Sequence, residues 1–284
     1  MKVVNTIEEV RKEISSQSCS LGLVPTMGYL HEGHLNLVRR ARNENEKVVV
    51  SIFVNPTQFG TGEDLGSYPS DIESDLKLLE NEGTDLVFNP SSDVMYPDGF
   101  DTWTEVGGLS RRLEGEFRPG HFRGVATVVL KLINIAQPDR AYFGQKDAQQ
   151  LMVIKKLVLD LNLNVEIVAV PIAREVDGLA RSSRNIYLTS DERGIATTLF
   201  KSLNLAKDLY ENGVRDAEKI KQEISRLIES QGVSAIDYVS IADTETLEEL
   251  DFIDRTALVS LAVTIGKARL IDNVILHDEL AGLT

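Results

Sequence analysis

The chain is predicted to be an α/β protein, with a parallel sheet covered by helices in its first half and a smaller α+β unit after it. Strand-like and helix-like patterns alternate from Leu21 to Val170, the signature of βαβ units. Lys47–Val54 is a nearly unbroken apolar, β-branched run, as a strand buried on both faces requires. The segments densest in His, Arg, Lys and amide side chains fall just beyond strand ends, where parallel sheets bind ligands.

The elements are read in order. Leu21–Val24 is a strand. A helix starts at Leu35 and runs to Glu44, with Leu35, Val38 and Ala41 on one face. Lys47–Val54 is the next strand, Asp71–Glu82 a helix with Ile72, Leu76 and Leu79 inward, and Asp85–Phe88 a short strand. Val125–Ile135 is helical despite its valines. Ala141–Phe143, Ala148–Leu159 and Val165–Val170 complete a strand–helix–strand sequence. Beyond Val176–Asp177 the pattern changes. Two polar-faced helices, Ser190–Glu211 and Asp216–Ser230, precede short strands at Ala235–Ile241, Ala257–Thr264 and Leu270–Val274. The expected domains are therefore 1–176 and 177–284. Asn89–Phe122 is rich in Gly and Pro, and a loop of that length suggests a lid or binding element.

The chain has 284 residues, with 42% hydrophobic and 26% charged, which fits a globular protein. No apolar stretch approaches a membrane span, and Met1–Glu13 mixes apolar and charged residues, unlike a signal peptide. Cys19 is the only cysteine, so no internal disulfide can form and a cytoplasmic location is expected. The net charge of −14 argues against nucleic acid as a partner, since binding its backbone needs a basic surface. A cleft on an acidic protein can still be basic, and basic residues concentrate at Arg118–Arg123, Lys146 and Arg174–Arg184.

Five segments carry candidate chemistry. Pro25–His34 joins a strand to a helix. Gly28 and Gly33 permit close backbone approach, and His31 and His34 sit where helix N–H groups attract phosphate. The alternative is a turn whose histidines only solvate a helix end. A zinc site is disfavoured, because these histidines are three apart rather than the four of His-Glu-x-x-His. Asn55-Pro56-Thr57-Gln58 offers amides suited to a hydroxyl or carboxylate, or an ordinary Asn-Pro turn. Arg118–Arg123 holds two guanidinium forks and His121, matched to phosphate or carboxylate, or else a solvated basic turn. Phe143–Asp147 ends a strand. Gly144 allows close approach, Lys146 is a point charge for phosphate, and Asp147 can cap a helix or accept from a ribose; Gln150 shares its face. Arg181–Asn185 combines hydroxyls and arginines as a phosphate-capturing loop does.

On Pro25-Thr26-Met27-Gly28-Tyr29-Leu30-His31-Glu32-Gly33-His34, Asn55-Pro56-Thr57-Gln58-Phe59, Arg118-Pro119-Gly120-His121-Phe122-Arg123-Gly124, Phe143-Gly144-Gln145-Lys146-Asp147 and Ser182-Ser183-Arg184-Asn185, in this order, the chain resembles the pantothenate synthetases. The histidine segment resembles the HIGH signature of the nucleotidyltransferase superfamily, shared with class I aminoacyl-tRNA synthetases. Arg181–Arg184 looks like the counterpart of their second signature loop. The resemblance implies a Rossmann-like nucleotidyltransferase domain with a smaller lid domain. It also implies ATP-dependent ligation of pantoate and β-alanine through pantoyl adenylate, with Mg²⁺ on the β- and γ-phosphates and a homodimer.

Residue by residue, the resemblance makes His34, His31 and Lys146 catalytic, steadying the triphosphate and the transition-state charge. ATP would be held by Met27, Gly28, Tyr29, Leu30, His31, Glu32, Gly33 and His34, by Gly144, Gln145, Lys146 and Asp147, by Val176 against adenine, and by Arg181, Ser182, Ser183, Arg184 and Arg118. Gln58 and Gln150 would hold pantoate, and Gln58 also β-alanine; no protein side chain is implied as a metal ligand. The sequence departs from the family at Arg181, where many relatives carry Met.

Overall fold

In a computed structural model, residues 1–14, 19–60 and 62–276 are described. The chain divides into two units, Met1–Gln145 with Gln150–Pro171, and Lys146–Gln149 with Ile172–Thr284.

The first unit carries β1 (Lys2–Val4), α1 (Ile7–Ile14), β2 (Leu21–Thr26), α2 (Glu32–Glu44), β3 (Lys47–Ile52), α3 (Ile72–Asn81) and β4 (Leu86–Phe88). Short helices α4 (Ser92–Met95) and α5 (Glu114–Phe117) lead to α6 (His121–Ala136), β5 (Arg140–Gly144), α7 (Ala148–Asp160, which begins in the other unit) and β6 (Glu166–Val170). Its six strands are all parallel, in the order β1-β4-β3-β2-β5-β6. The strand order reverses at β2, so β2 is where a doubly wound sheet opens a crevice beyond its carboxyl ends.

Alternation along the strands builds two cores. Leu21, Leu23 and Val49 pack on one face with Val125, Val129 and Leu132 of α6. Val24, Val48, Val50 and Ile52 pack on the other with Leu37, Val38 and Ala41 of α2 and Leu79 of α3. The period-2 side-chain pattern of a strand has this consequence when both faces are covered.

Three features depart from the sequence reading. The helix predicted from Leu35 begins at Glu32, because the His31 ring satisfies helix N–H groups that Leu35 could not. The strand β1 and helix α1 have no counterpart among the predicted elements, β1 being three residues at the sheet edge with Lys2 and Val3 exposed. The Asn89–Phe122 stretch is anchored: Met95, Val106 and Leu109 are buried, and Tyr96, Phe100 and Trp103 form an aromatic cluster.

The second unit holds α8 (Ser190–Glu211) and α9 (Ala217–Glu229) and an antiparallel sheet, β7 (Ala235–Asp243), β8 (Ala257–Ile265) and β9 (Ala268–Leu276). Thr189 and Glu192 form a capping box at the start of α8, and the Asp216 side chain caps α9. Leu199, Leu203, Ile220 and Ile224 pack onto Val259, Leu261 and Val263. Arg174 makes a two-pronged ion pair with the buried Asp272 of β9, at 2.7 and 3.0 Å, and stacks over Phe200.

Candidate active site

The first unit presents its histidines through an unusual turn. After β2 the backbone takes a left-handed conformation at Gly28 (φ +82°) and again at Tyr29 (φ +53°). His31 is then the N-cap of α2. Its Nδ1 accepts the Gly33 N–H at 3.1 Å, and Nδ1 of His34 accepts the His31 N–H at 3.3 Å. This is a capping box in which both partners are imidazoles, in place of the Ser/Thr and Glu of the common form. The rings lie 4.1 Å apart, centroid to centroid. Because each Nδ1 accepts, a neutral ring at either position carries its proton on Nε2. A helix start with its dipole and two such rings favours an anion.

Beyond β3, Pro56–Gln58 forms a 3-10 turn capped by the Asn55 side chain. Asn55 is almost wholly buried. Its Nδ2 donates to Gln58 Oε1 and to the Gly124 carbonyl, both at 3.2 Å, and its Oδ1 accepts from Tyr96 Oη at 2.9 Å. Gln58 Nε2 lies 2.9 Å from Met27 Sδ, so two of the residues singled out in sequence touch. His121 Nδ1 donates to the Gln58 carbonyl at 2.8 Å, and its Nε2 accepts from Arg118 at 3.1 Å.

Arg118, expected at phosphate, is engaged within the unit. Its Nε and Nη2 meet both carboxylate oxygens of Glu63 at 2.8 and 2.6 Å. Burial pushes the Glu63 carboxyl up, but the guanidinium outweighs it and holds the group below its ordinary value. Burial, with Arg118 beside it, pulls His121 down to about 4 from 6.5. In this window the unfolded chain binds the proton and the folded chain does not. The stability from neutral His121 is therefore complete above about pH 6.5 and is lost as pH falls through about 4. Unfolding free energies from urea titrations at pH 7 and pH 4 should fall less in His121→Gln than in the native chain, by on the order of 3 kcal/mol. Equal pH slopes would refute this.

Gln145–Asp147 forms a 3-10 turn after β5. In the second unit, the Lys146 carbonyl accepts from Nδ2 of Asn273 on β9 at 2.9 Å. Lys146 Nζ is 3.8 Å from Asp147 Oδ1. Arg174 and Ala180 pair across the Asp177-Gly178 turn, placing Arg181 on Glu175 at 3.1 Å. Ser182 Oγ caps the Ser183–Tyr187 3-10 turn through the Arg184 N–H. Val176 is fully exposed at the turn. Among the described residues, no three or more His, Cys, Asp or Glu group together as metal ligands, and no helix is long and apolar enough to cross a membrane.

Residues 2–275 match the pantoate-beta-alanine ligase family. The chain belongs to that family. The pantothenate synthetase of Thermotoga petrophila is 57% identical over 279 residues, spanning 97% of this chain and 100% of that protein. That of Roseiflexus castenholzii is 56% identical over 277 residues, 98% of this chain and 100% of its own. A crystal structure of pantothenate synthetase from Thermus thermophilus superposes with a TM-score of 0.93 at 45% identity, covering 96% of this chain and 99% of that one. A pantoate-beta-alanine ligase from Francisella tularensis, complexed with beta-gamma ATP and beta-alanine, gives a TM-score of 0.81 at 38% identity over 97% of each chain. The α/β fold and the family implied by the resemblance hold: this chain is a pantoate–β-alanine ligase, which joins carbon to nitrogen.

Several residues that hold the candidate residues in place were not read from the sequence. Asp75 accepts the Tyr29 and Leu30 N–H groups, Glu63 takes up Arg118, and Asn273 holds the Lys146 carbonyl. A signal existed only for Asp75, an acid placed on the inward stripe between Ile72 and Leu79. Gly124 is packed so tightly that a Cβ would meet the Thr57 carbonyl oxygen at 2.4 Å.

Proposed function

We propose that the ligase works in two steps through pantoyl adenylate. A pantoate carboxylate oxygen attacks the α-phosphorus of ATP, the bond to the bridging oxygen breaks, and pyrophosphate leaves. The β-alanine amine then attacks the acyl carbon, the bond to AMP breaks, and the amine gives up a proton. Activation is needed because a carboxylate resists amine attack. Mg²⁺ brought in with the nucleotide would neutralise phosphate charge, and no side chain of this chain is assigned to hold it.

The observation that carries this reading is the imidazole capping box. His31 and His34 commit their Nδ1 atoms to the helix start, which fixes the rings as Nε2–H donors suited to phosphate oxygens. A fixed donor facing developing charge lowers the barrier without proton transfer, so His34 is assigned a hydrogen-bonding role. Lys146 meets the phosphates, Asp147 the ribose, and Gly144 and Gln145 the adenosine, with Val176 against adenine. Met27, Gly28, Tyr29, Leu30, Glu32 and Gly33 line the nucleotide. Ser182, Ser183 and Arg184, flanked by Arg181, hold the outer phosphates, and Arg118 serves the same charge. Gln58 and Gln150 bind pantoate, and Gln58 also β-alanine. The enzyme is taken to be a cytoplasmic homodimer; the single cysteine supports the location, and sedimentation tests the dimer.

Exchange of labelled pyrophosphate into ATP tests the pathway. It should require pantoate and proceed without β-alanine; exchange dependent on the amine would overturn the intermediate. Gln150→Ala should raise the pantoate constant about tenfold, the loss expected when one or two hydrogen bonds to a charged substrate go. If only the ATP constant moved, the pantoate assignment would fail.

A further inference from the structure

Tyr29 is a non-glycine residue in the left-handed region, directly after a left-handed glycine. That conformation is strained for an L-residue, so something must hold it. The Asp75 carboxylate does so from the first turn of α3. Oδ2 accepts the Tyr29 N–H at 2.8 Å and Oδ1 the Leu30 N–H at 2.7 Å. Successive N–H groups in a left-handed turn make a concave anion site, and here the anion is the protein's own side chain. Asp75 is 2% exposed. Burial raises its pKa, against the two N–H bonds that lower it. An apolar side chain would fill the same space at less cost, so the position is explained by the two acceptor oxygens rather than by packing. The carboxylate also leaves no room beside it: a Cβ on Gly28 would meet Asp75 Oδ2 at 3.0 Å and Ile52 Cγ2 at 3.1 Å. On the other side of the turn, Thr26 Oγ1 accepts the Gly28 N–H at 3.3 Å. The next residue after Leu30 is the N-cap His31, so the angle at which the imidazole pair leaves the sheet is set by this clamp.

We propose that Asp75 is a positioning residue for the ligation: by holding the Gly28–Leu30 turn through two backbone N–H groups, it aims the Nε2–H donors of His31 and His34 at the triphosphate. The proposal rests on the assignment of those histidines to phosphate. Asp75 touches no substrate and acts through the turn alone. A residue acting through these two rings has less to contribute once His34 is gone and only His31 is left to aim, whereas one that merely stabilises the fold keeps its full effect.

The test is a double-mutant cycle on pantoate-dependent pyrophosphate exchange, with urea unfolding of every variant. Asp75→Ala should lower the exchange kcat about thirtyfold or more while the pantoate KM changes less than about twofold. Asp75→Asn keeps one acceptor oxygen but sets an amide N–H₂ against the second donor, so it should recover part of that loss. In a His34→Ala background, Asp75→Ala should cost less than about threefold further. Full additivity, or native rates in both Asp75 variants, overturns the proposal while leaving the histidine assignment standing. Native exchange in His34→Ala alone overturns the histidine assignment, and this inference with it. Should Asp75→Ala fail to fold, the same cycle run with Asp75→Asn decides between additivity and its absence.

Discussion

His34→Ala should lower pyrophosphate exchange at least about a hundredfold with the chain still folded, the loss typical of removing one fixed donor from a developing oxyanion. The argument starts from the backbone. The His34 ring accepts the His31 N–H, so its Nδ1 is committed and its orientation is set by the helix end rather than by substrate. The donor is thus in place before the phosphate develops charge and needs no reorganisation in the transition state. Lys146→Ala should produce a loss of the same order, since the role proposed for its ammonium is to neutralise charge that grows on the leaving pyrophosphate. His34 has a second duty as the capping-box partner that accepts the His31 N–H, and its removal also lowers helix stability. His34→Gln separates the two. A Gln at the third helical position can accept from the N-cap N–H, as in the ordinary capping box, but lacks the ring's outward donor. Urea midpoints should therefore recover in His34→Gln while exchange stays low. Native exchange rates in either variant would remove the histidine from the chemistry.

Much of this was legible in the sequence for a physical reason. Strands buried on both faces leave nearly continuous apolar runs, as at Val48–Ile52 with Ser51 its one polar residue, and parallel topology puts ligand-binding segments after them. Residues such as His31, Gln58 and Lys146 can be read because their chemistry sits in short turns beside Gly and Pro. What escapes is held by contacts distant in sequence. Asp75 lies 46 residues from Tyr29 and Asn273 lies 127 from Lys146, and neither pairing leaves a periodic trace. The ion pair of Arg118 is likewise invisible in the sequence, because its partner Glu63, 55 residues away, belongs to no pattern. The start of α2 lies earlier than its apolar pattern suggests for a related reason: capping rules favour Ser, Thr, Asp and Asn, and a His that caps through Nδ1 falls outside them.

Gly124→Ala should destabilise the chain by about 1–3 kcal/mol, as overpacking against fixed atoms does. A methyl group there would stand 2.4 Å from the Thr57 carbonyl oxygen, 2.6 Å from its carbon and 2.8 Å from the Gln58 nitrogen. These are backbone atoms, so no side-chain rotation relieves the clash, and the Pro56–Gln58 turn must move away from α6. That movement strains the Asn55 bond to the Gly124 carbonyl and the His121 bond to the Gln58 carbonyl, which together fix Gln58. A displacement near 1 Å at a substrate-positioning group costs on the order of a hundredfold in rate, so kcat/KM for pantoate should fall by about that much. The ATP constant should move far less, since His31 and His34 hang from a different strand end. Gly144→Ala provides the contrast. Nothing lies within 4 Å of a Cβ at Gly144, so its unfolding midpoint should stay native, and any kinetic loss would report contact with a ligand. If Gly124→Ala kept both its stability and its pantoate kinetics, the α6 backbone could not be what holds Gln58 in place.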